Sequence, residues 1–437
     1  MDMEKENNVK IDAPYERVLL VGVDDGTRKE DFAYSMEELK SLAKACFMEP
    51  VGMVTQKMEG INKGLYIGTG KVKEVKEAVS LLEAVLVIFD DTLTPSQLRN
   101  LQKELGVPIL DRTSLILDIF ETRARTREAK LQVESAKLKY LLPRLVGMHE
   151  ALTRQGGTSG SMSSRGAGEK KLELDRRRIE HRISELSREL EEVVKERQVQ
   201  RKKRKEARVP LVALVGYTNA GKSTIMNAMI DTYGMDQEKK VLEKDMLFAT
   251  LDTTVRRIST GNNKDFLLSD TVGFIHRLPH SLIKAFHSTL EEVLNADLLL
   301  QVVDYSDPHY REQMNTTRET LEELGAGKIP MITVFNKADR LEEPVRYPQI
   351  MGEEKIYISA KEPESLALLT DTILNKIYAD YTQAEFLIPY ETGNAASYFM
   401  EHSHMISQEY EEKGIRIKTK CHKADQEKYK VYLVRKE

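Results

Sequence analysis

The amino-acid sequence predicts an α/β protein made of four consecutive parts. Apolar, strand-like runs alternate with amphipathic helical segments over residues 17–127 and again over residues 209–380, a pattern typical of parallel sheets covered by helices. Between them, long charged segments have helical periodicity, and the C-terminal stretch mixes short strand and helix patterns. The predicted parts are an N-terminal α/β domain, a helical hairpin, a second α/β domain and a small α+β domain, over residues 1–127, 128–208, 209–380 and 381–437.

Composition excludes several classes of protein. The chain has 437 residues, enough for about three domains, and 31% of them are charged and 41% hydrophobic, so a disordered or fibrous protein is excluded. It lacks a run of ~18 uncharged apolar residues, so no membrane span is predicted. The polar N-terminus has no apolar signal-peptide segment, so a cytoplasmic protein is expected. Cys46 and Cys421 lie too far apart in sequence to suggest a disulfide scaffold or a zinc site.

The N-terminal part is predicted to alternate strands and helices. Ser35 and Glu38 have the spacing of a capping box, which predicts a helix from Ser35 through Cys46. Another helix is predicted over residues 95–105, ended by Gly106. The other predicted elements are strands at residues 17–23, 50–56 and 85–89 and a helix at residues 71–82.

Residues 128–144 and 169–208 are predicted to form two long helices. Apolar residues recur every three or four positions along the second, so the helices are expected to pair as a hairpin. The Gly/Ser-rich segment Gly156–Gly168 between them is predicted to be a loop. In the C-terminal part, the patterns predict a strand at residues 386–389, a helix at 395–411 and strands at 415–420 and 428–435.

The clearest functional motif is a P-loop. It fits the pattern GxxxxGK[ST], with an apolar strand at residues 211–215 before it and a helix from Lys222 after it. In such a loop the backbone N–H groups point at phosphates, the lysine reaches the β- and γ-phosphates and the serine hydroxyl binds Mg²⁺. The predicted phosphate-binding residues are Gly216, Tyr217, Thr218, Asn219, Ala220, Gly221, Lys222 and Ser223.

A second motif indicates which base is bound. A carboxylate at Asp339 accepts two hydrogen bonds, and guanine offers two neighbouring donors. Adenine offers an acceptor in place of one donor and would leave a desolvated carboxylate badly paired, at a penalty of roughly 3–5 kcal/mol. The order of the segments after the P-loop therefore predicts guanine binding by Asn336, Lys337, Ala338 and Asp339 after one strand, and by Ser359, Ala360 and Lys361 after the next.

Two segments between these motifs are candidates to sense the γ-phosphate. Asp270, Thr271, Val272 and Gly273 follow the strand at residues 265–269. Asp270 would hold the Mg²⁺ shell through water, and the Gly273 amide would approach the γ-phosphate. Upstream, the segment from Phe248 to Thr254 contains three Thr residues, one of which would complete the Mg²⁺ shell.

The predicted catalytic residues are Lys222, Gly273 and Asn219. The next residue, Phe274, cannot orient a water molecule by hydrogen bonding, so slow hydrolysis is expected unless a partner supplies that function. Asn219 either ligates a K⁺ ion that bridges phosphates or only shapes the loop. The nearby residues His276, Arg277 and His280 are interpreted as surface residues of a switch helix.

The sequence resembles the HflX family of translational GTPases over most of its length. Outside the nucleotide motifs, the segments that resemble this family are Tyr66–Val72, Asp111–Phe120, Arg123–Thr126, Lys130–Glu134, Tyr140–Leu145, Arg165–Glu169 and Asp175–Ile179. The resemblance implies a P-loop GTPase domain whose switch contains Phe248, Ala249, Thr250, Leu251 and Asp252, with Thr250 as a Mg²⁺ ligand besides Ser223.

The resemblance also implies a target. The protein would bind the large ribosomal subunit and its RNA, with the hairpin loop reaching the RNA, and would split or rescue stalled or inactive ribosomes. The chain departs from the family at Ala167 and Thr253, where the family usually has Pro, and both changes bear on splitting rather than on GTP binding. The residues alone leave open a GTPase of subunit assembly or RNA modification, or a nucleotide-switched protein-binding module. We expect a monomer.

Overall fold

The chain folds into two compact units, Met1–Thr122 with Val133–Glu185 and Arg123–Gln132 with Leu186–Glu437. The computed structural model describes residues 16–436 except for residues 27–30, 155–161, 207–208, 235–246, 249–250, 252, 262–263, 280–281, 283–286, 342–345 and 353.

The first unit contains a parallel four-stranded sheet in the order β2-β1-β3-β4. The central strands are almost wholly apolar and buried, as expected when helices cover both faces of a parallel sheet. The predicted helix at residues 95–105 is confirmed, with a capping box between Thr94 and Gln97 and a left-handed Gly106. The elements are β1 (Glu16–Asp24), α1 (Phe32–Ala45), β2 (Met48–Lys57), α2 (Thr69–Leu81), β3 (Leu86–Phe89), α3 (Pro95–Leu105), β4 (Ile109–Asp111) and α4 (Arg112–Arg123).

The predicted start of α1 is wrong. The helix begins at Phe32 and is capped by Asp31, whose carboxylate accepts a hydrogen bond from the Ala33 N–H. Ser35 instead donates to the Asp90 carboxylate at 2.8 Å. Glu38 and Asp90 both pair with the buried Arg112 guanidinium, so the two residues interpreted as a cap belong to a buried ionic cluster.

Two long helices follow, α5 (Arg127–Arg154) and α6 (Met162–Glu206). Ion pairs link the two helices within each unit. In the first unit, Arg182 Nε donates to Glu134 Oε1 at 2.7 Å. In the second unit, Arg127 Nη2 lies 3.4 Å from Glu189 Oε2. The predicted loop over Gly156–Gly168 is wrong for its second half, because α6 already begins at Met162, and residues 155–161 lie outside the described part of the chain. The glycines there disfavour a helix by ~1 kcal/mol each, and the long helix that continues from them outweighs this local preference.

The second unit contains a seven-stranded sheet in the order β10-β11-β9-β8-β5-β7-β6. The five inner strands are parallel, and β6 and β10 are antiparallel edges. Helices pack on both faces around two apolar clusters. The elements are β5 (Leu211–Gly216), α7 (Lys222–Tyr233), β6 (Thr254–Ser259), β7 (Asp265–Asp270), α8 (His287–Leu294), β8 (Leu298–Asp304), α9 (Tyr310–Glu323), β9 (Met331–Asn336), β10 (Gln349–Met351), β11 (Lys355–Tyr357) and α10 (Pro363–Ile377).

The C-terminal part of this unit is an antiparallel sheet in the order β13-β14-β12-β15. The predicted helix at residues 395–411 is wrong in its second half, because it ends at His402 and a strand follows. The register of this strand with its neighbour, and not its own sequence, settles its conformation. The elements are β12 (Tyr381–Ile388), α11 (Gly393–His402), β13 (His404–Glu411), β14 (Gly414–His422), α12 (Lys423–Lys428) and β15 (Leu433–Lys436).

These three sheets and their helices confirm the predicted α/β fold class with a C-terminal sheet domain. The division into four domains stays a prediction. Among the described residues, no helix combines the length and the apolar character needed to cross a membrane.

Candidate nucleotide-binding site

The candidate site lies at the carboxyl ends of the parallel strands, where ligands bind in open α/β sheets. Three residues at the end of β5 and in the loop before α7 have positive φ: Gly216 at 144°, Asn219 at 60° and Gly221 at 95°. A Cβ atom on Gly221 would lie 2.2 Å from Nδ2 of Asn336, and one on Gly216 would lie 2.2 Å from the Val302 carbonyl oxygen. Only glycine fits both positions, so the loop geometry follows directly from the motif.

The Lys222 ammonium is buried inside the P-loop. Its Nζ donates to the carbonyl oxygens of Tyr217 at 2.6 Å and Gly216 at 3.1 Å. Burial lowers its pKa to about 8, because removal from water disfavours the charged form, and the nearby Asp270 carboxylate only partly opposes this effect. The loop therefore holds a lysine whose charge is poorly solvated and would gain from a bound anion.

A hydroxyl and a carboxylate meet at the start of α7. Ser223 Oγ donates to Asp270 Oδ2 at 2.8 Å, and Asp270 is fully buried at the end of β7. Within the described residues, the buried Thr218 hydroxyl in the same loop has no hydrogen-bond partner. These oxygen groups have the chemistry that Mg²⁺ prefers, so the residues present fit a magnesium-bound phosphate.

The segment after Asp270 is tied to the P-loop by backbone hydrogen bonds. The Phe274 N–H donates to Gly216 O at 3.1 Å, and the Thr218 N–H donates to Phe274 O at 2.9 Å. A Cβ on Gly273 would lie 2.8 Å from the Thr218 Cα and 3.0 Å from the Lys222 Nζ. Glycine at this position therefore lets the backbone lie directly against Thr218 and Lys222 of the P-loop. The approach of its amide to the γ-phosphate stays a prediction.

The other residues of this segment point into the protein. Thr271 Oγ1 donates to Leu214 O at 2.7 Å, and Val272 is buried. The Phe274 ring is buried in an apolar cluster between the sheet and its helices. None of these three side chains is placed to orient a water molecule.

The predicted base-binding segments come together around one cavity of about 150 Å³. The Asn336 side chain links them, since its Nδ2 donates to Ala220 O at 3.0 Å and its Oδ1 accepts from the Ala360 N–H at 3.0 Å. Ala338 is buried, whereas Asp339 and Lys361 are exposed where they line the cavity. The cavity is lined by Asn219, Gly221, Thr224, Asn336, Lys337, Asp339, Arg340, Ser359, Ala360 and Lys361.

Three residues near this cavity were missed by the sequence analysis. Asp304 at the end of β8 accepts a hydrogen bond from Lys337 Nζ at 2.6 Å, and the same ammonium donates to Asn219 O at 2.8 Å. Thr224 and Arg340 line the cavity. The position of Asp304 at the carboxyl end of a parallel strand was the available signal.

The upstream switch segment is described only in part. Phe248 and Leu251 are buried, and Phe248 has a φ of 55°. Ala249, Thr250 and Asp252 lie outside the described residues.

The interpretation of His276 as a surface residue is wrong. Its side chain is buried, its Nδ1 lies 3.0 Å from Thr316 Oγ1, and its backbone N–H donates to the Tyr217 hydroxyl at 2.8 Å. Its ring also lies against the Tyr217 ring, with centroids 5.3 Å apart. The P-loop tyrosine therefore anchors the segment that follows Gly273.

Comparison with known proteins identifies the family. Residues 33–121 match the family model described as GTP-binding GTPase N-terminal, residues 123–204 that described as GTP-binding GTPase Middle Region, and residues 211–337 that described as 50S ribosome-binding GTPase. The chain is 45% identical over 403 residues to GTPase HflX of Caldanaerobacter subterraneus subsp. tengcongensis, with 92% of this chain and 90% of that protein covered. This chain belongs to the HflX family of GTPases.

The chain is similar in sequence to HflX proteins of other bacteria as well. Identity is 48% over 353 residues to GTPase HflX of Alkalihalophilus pseudofirmus, with 81% of each chain covered, and 38% over 384 residues to that of Escherichia coli, with 87% of each covered. A solved structure of a GTP-binding protein from Sulfolobus solfataricus in complex with GDP is 24% identical, covers 83% of this chain and 99% of that chain, and has a TM-score of 0.42. The HflX relatives and the matched family models confirm the predicted family and the predicted GTPase activity.

Replacing Lys222 by Met is expected to stabilise the ligand-free protein. A pKa of about 8 in the folded state, against the ordinary 10.5, corresponds to on the order of 3 kcal/mol of unfavourable charge burial at neutral pH. The unfolded chain binds more protons between these two values, so the stability of the wild type should rise from pH 8 to pH 10.5 and that of the variant should not. Urea unfolding of the ligand-free protein at both ends of this window measures the effect.

The exposed Lys328 offers a matched control, because Lys328→Met removes a solvated ammonium and should leave stability nearly unchanged. A Lys222→Met protein that is less stable than the wild type at pH 7 would show that the two carbonyl hydrogen bonds outweigh the burial of charge.

Proposed function

We propose that this GTPase recognises guanine through Asp339 and acts on the large ribosomal subunit. The observation that carries the first part is the cavity in which the Asp339 carboxylate, the Ala360 backbone and the Asn336 amide meet beside the P-loop. The carboxylate accepts from the N1–H and the exocyclic amine of guanine, and Lys337 and the Ser359–Lys361 turn enclose the base.

The P-loop then receives the phosphates. Its backbone N–H groups and the N-terminus of α7 point at the β-phosphate, and Lys222 exchanges its two carbonyl acceptors for phosphate oxygens. Bound phosphate raises the pKa of Lys222 from its depressed value, so the ammonium carries a full charge when nucleotide is present.

Ser223 and Thr250 would hold Mg²⁺ directly, with Asp270 in the outer shell. The ion would neutralise charge that develops on the β- and γ-phosphates. Breaking the Ser223–Asp270 hydrogen bond frees the serine oxygen for this role.

Hydrolysis transfers the γ-phosphoryl group of GTP to water and yields GDP and phosphate. Lys222 and the loop amides stabilise charge on the transferred group, and the Gly273 amide approaches the γ-phosphate. Since Phe274 is buried and cannot orient the attacking water, the rate of the isolated protein is low and a partner raises it.

A substitution at position 339 tests base recognition. Asp339→Asn replaces two acceptors by one donor and one acceptor, so the affinity for GTP is expected to fall by about 100-fold, the value of one or two charged hydrogen bonds. Xanthosine triphosphate, which carries a carbonyl in place of the exocyclic amine, should bind the variant better than it binds the wild type. Calorimetric titration with both nucleotides measures the exchange.

Asp371→Asn, at an exposed position on α10, is the matched control and should leave both affinities unchanged. Equal GTP affinity for Asp339→Asn and the wild type would refute the role of this carboxylate.

We also propose that Asn219 ligates a K⁺ ion at the phosphates. The residue has a φ of 60° at the mouth of the cavity, where its carbonyl oxygen is fixed by Lys337. Asn219→Gly keeps this backbone conformation without strain and removes the side-chain oxygen. GTP hydrolysis by the wild type should be faster in KCl than in NaCl of equal concentration, whereas the variant should not distinguish the salts; identical wild-type rates in both salts would remove the ion from the mechanism.

The proposed target is the ribosome. The matched family model for residues 211–337 is described as a 50S ribosome-binding GTPase, and the long α6 ends in a strongly basic sequence suited to phosphate contacts. The corresponding activity is the splitting or rescue of stalled or inactive ribosomes in the cytoplasm. A role in subunit assembly, which the same motifs permit, is distinguished by the particle that the protein binds.

Sedimentation through sucrose tests the target. With a non-hydrolysable GTP analogue, the protein should migrate with large subunits and convert joined ribosomes to subunits. In a separate assay with GTP, large subunits should raise the hydrolysis rate roughly 10-fold or more. Lys222→Ala, which should not bind GTP tightly, is the negative control. Equal hydrolysis rates with and without large subunits would refute the proposal, and migration only with immature particles would favour assembly.

A further inference from the structure

The C-terminal domain has the split β-α-β topology of many RNA-binding domains. Its elements follow in the order β12, α11, β13, β14, α12, β15, and β14 and β12 are the central strands. Both helices pack on one face of the sheet: Phe399 of α11 stacks on Phe386, and Gln426 of α12 donates to Thr382 Oγ1 at 2.6 Å. The opposite face carries no helix of this domain.

The side chains of the opposite face follow from the strand register. Residues directly opposite each other in an antiparallel pair share a face. Since Ala384, Phe386 and Ile388 are buried with Ile417 and Cys421 under the helices, the alternate positions face outward. These outward residues are Tyr381, Gln383, Glu385 and Leu387 on β12, Arg416, Lys418, Lys420 and His422 on β14, and Ser407 and Glu409 on β13.

The central strand of this face carries a row of positive charge. Arg416, Lys418 and Lys420 alternate along β14 with a repeat of ~6.8 Å. The Arg416 guanidinium is paired with the carboxylates of Glu385 and Glu411. Within the described residues, neither lysine ammonium has an ion-pair partner, and Lys420 is exposed.

We propose that this outward face, centred on Lys418 and Lys420, binds the phosphate backbone of large-subunit RNA. The inference rests on the proposed ribosomal target and names a surface for it. The ammonium groups of Lys418 and Lys420, which have no ion-pair partner in the described part of the chain, alternate along one strand and complement successive phosphates. The Arg416–Glu385–Glu411 cluster lies at the end of this row. Glu385 and Glu409 lie on the same face, so its positive charge is concentrated on the two lysines, and a phosphate-bearing partner fits the row along β14.

The same face predicts how RNA is read. The aromatic residues of this face, Tyr381 and His422, lie directly opposite each other at the end of the face away from Arg416, with ring centroids 5.8 Å apart. The centre of the face, around Lys418, presents charge and no ring on which a base could stack. Recognition is therefore through phosphates, independent of sequence and strongly dependent on salt.

The test removes the two charges and keeps the fold. Lys418→Gln with Lys420→Gln in the full chain should weaken binding to purified large subunits about 10-fold near 0.1 M salt, because two phosphate contacts are lost. Each lost contact should also reduce the slope of log affinity against log salt concentration by ~0.7–0.9. The corresponding Lys→Arg pair keeps both charges and should bind as the wild type does. Basal GTP hydrolysis should be unchanged in both, since neither residue lies near the nucleotide cavity.

Lys423 and Lys430 supply a matched control. Both are exposed, Lys423 at the start of α12 and Lys430 just after its end, and their double Gln variant has the same change in net charge. Its affinity and salt slope should equal those of the wild type, and urea unfolding of both double variants should show intact domains.

Each outcome decides a different question. If the wild type binds large subunits and Lys418→Gln/Lys420→Gln binds equally well, this face is not the RNA surface although the ribosomal target stands. Protein-free large-subunit RNA is the second probe: a loss of affinity for subunits without a loss for this RNA would assign the face to a ribosomal protein and overturn the inference. A wild type that binds no large subunits would refute the target itself.

Discussion

The nucleotide site depends on one side-chain amide, that of Asn336. It is buried and uses both of its ends, donating to the P-loop at Ala220 and accepting from the turn at Ala360. Gly221 makes this contact possible, because any side chain there would displace the amide. The P-loop, the segment at Asn336 and the turn at Ala360 are thereby held around one cavity, although more than 100 residues separate the first from the other two. The phosphate-binding and base-binding parts of the site therefore keep a fixed separation.

The two lysines of this site, Lys222 and Lys337, differ in how their charges are compensated. A buried ammonium with only carbonyl acceptors is unfavourable, and the low pKa of Lys222 expresses this. Lys337, in contrast, has the Asp304 carboxylate as a partner and remains tied to the loop. One lysine is thus available to a ligand, while the other maintains the shape of the cavity. The strain held in the first is relieved only when an anion enters.

The sequence predicted the parts of the protein that local rules determine. The P-loop conformation follows from glycines that no other residue can replace, and α3 ends at the left-handed Gly106 that its sequence predicts. Where the predictions from sequence are wrong, the cause is a contact with a residue or strand elsewhere in the fold. Ser35 and Glu38 have the spacing of a cap but are drawn into the cluster around Arg112, and residues 404–411 form a strand because β14 lies beside them. The partnership of Asp304 with Lys337 likewise links residues whose proximity only the folded sheet creates.

The backbone pairing of Phe274 with Gly216 and Thr218 has a consequence for motion in this enzyme. Together with the Tyr217 hydroxyl that holds the His276 N–H, it fastens the first residues after Asp270 to the rigid loop. A rearrangement driven by loss of the terminal phosphate cannot pivot within this stretch without breaking those bonds. The stretch from Thr271 to His276 is therefore held to the P-loop by three hydrogen bonds, each of which such a rearrangement would have to replace.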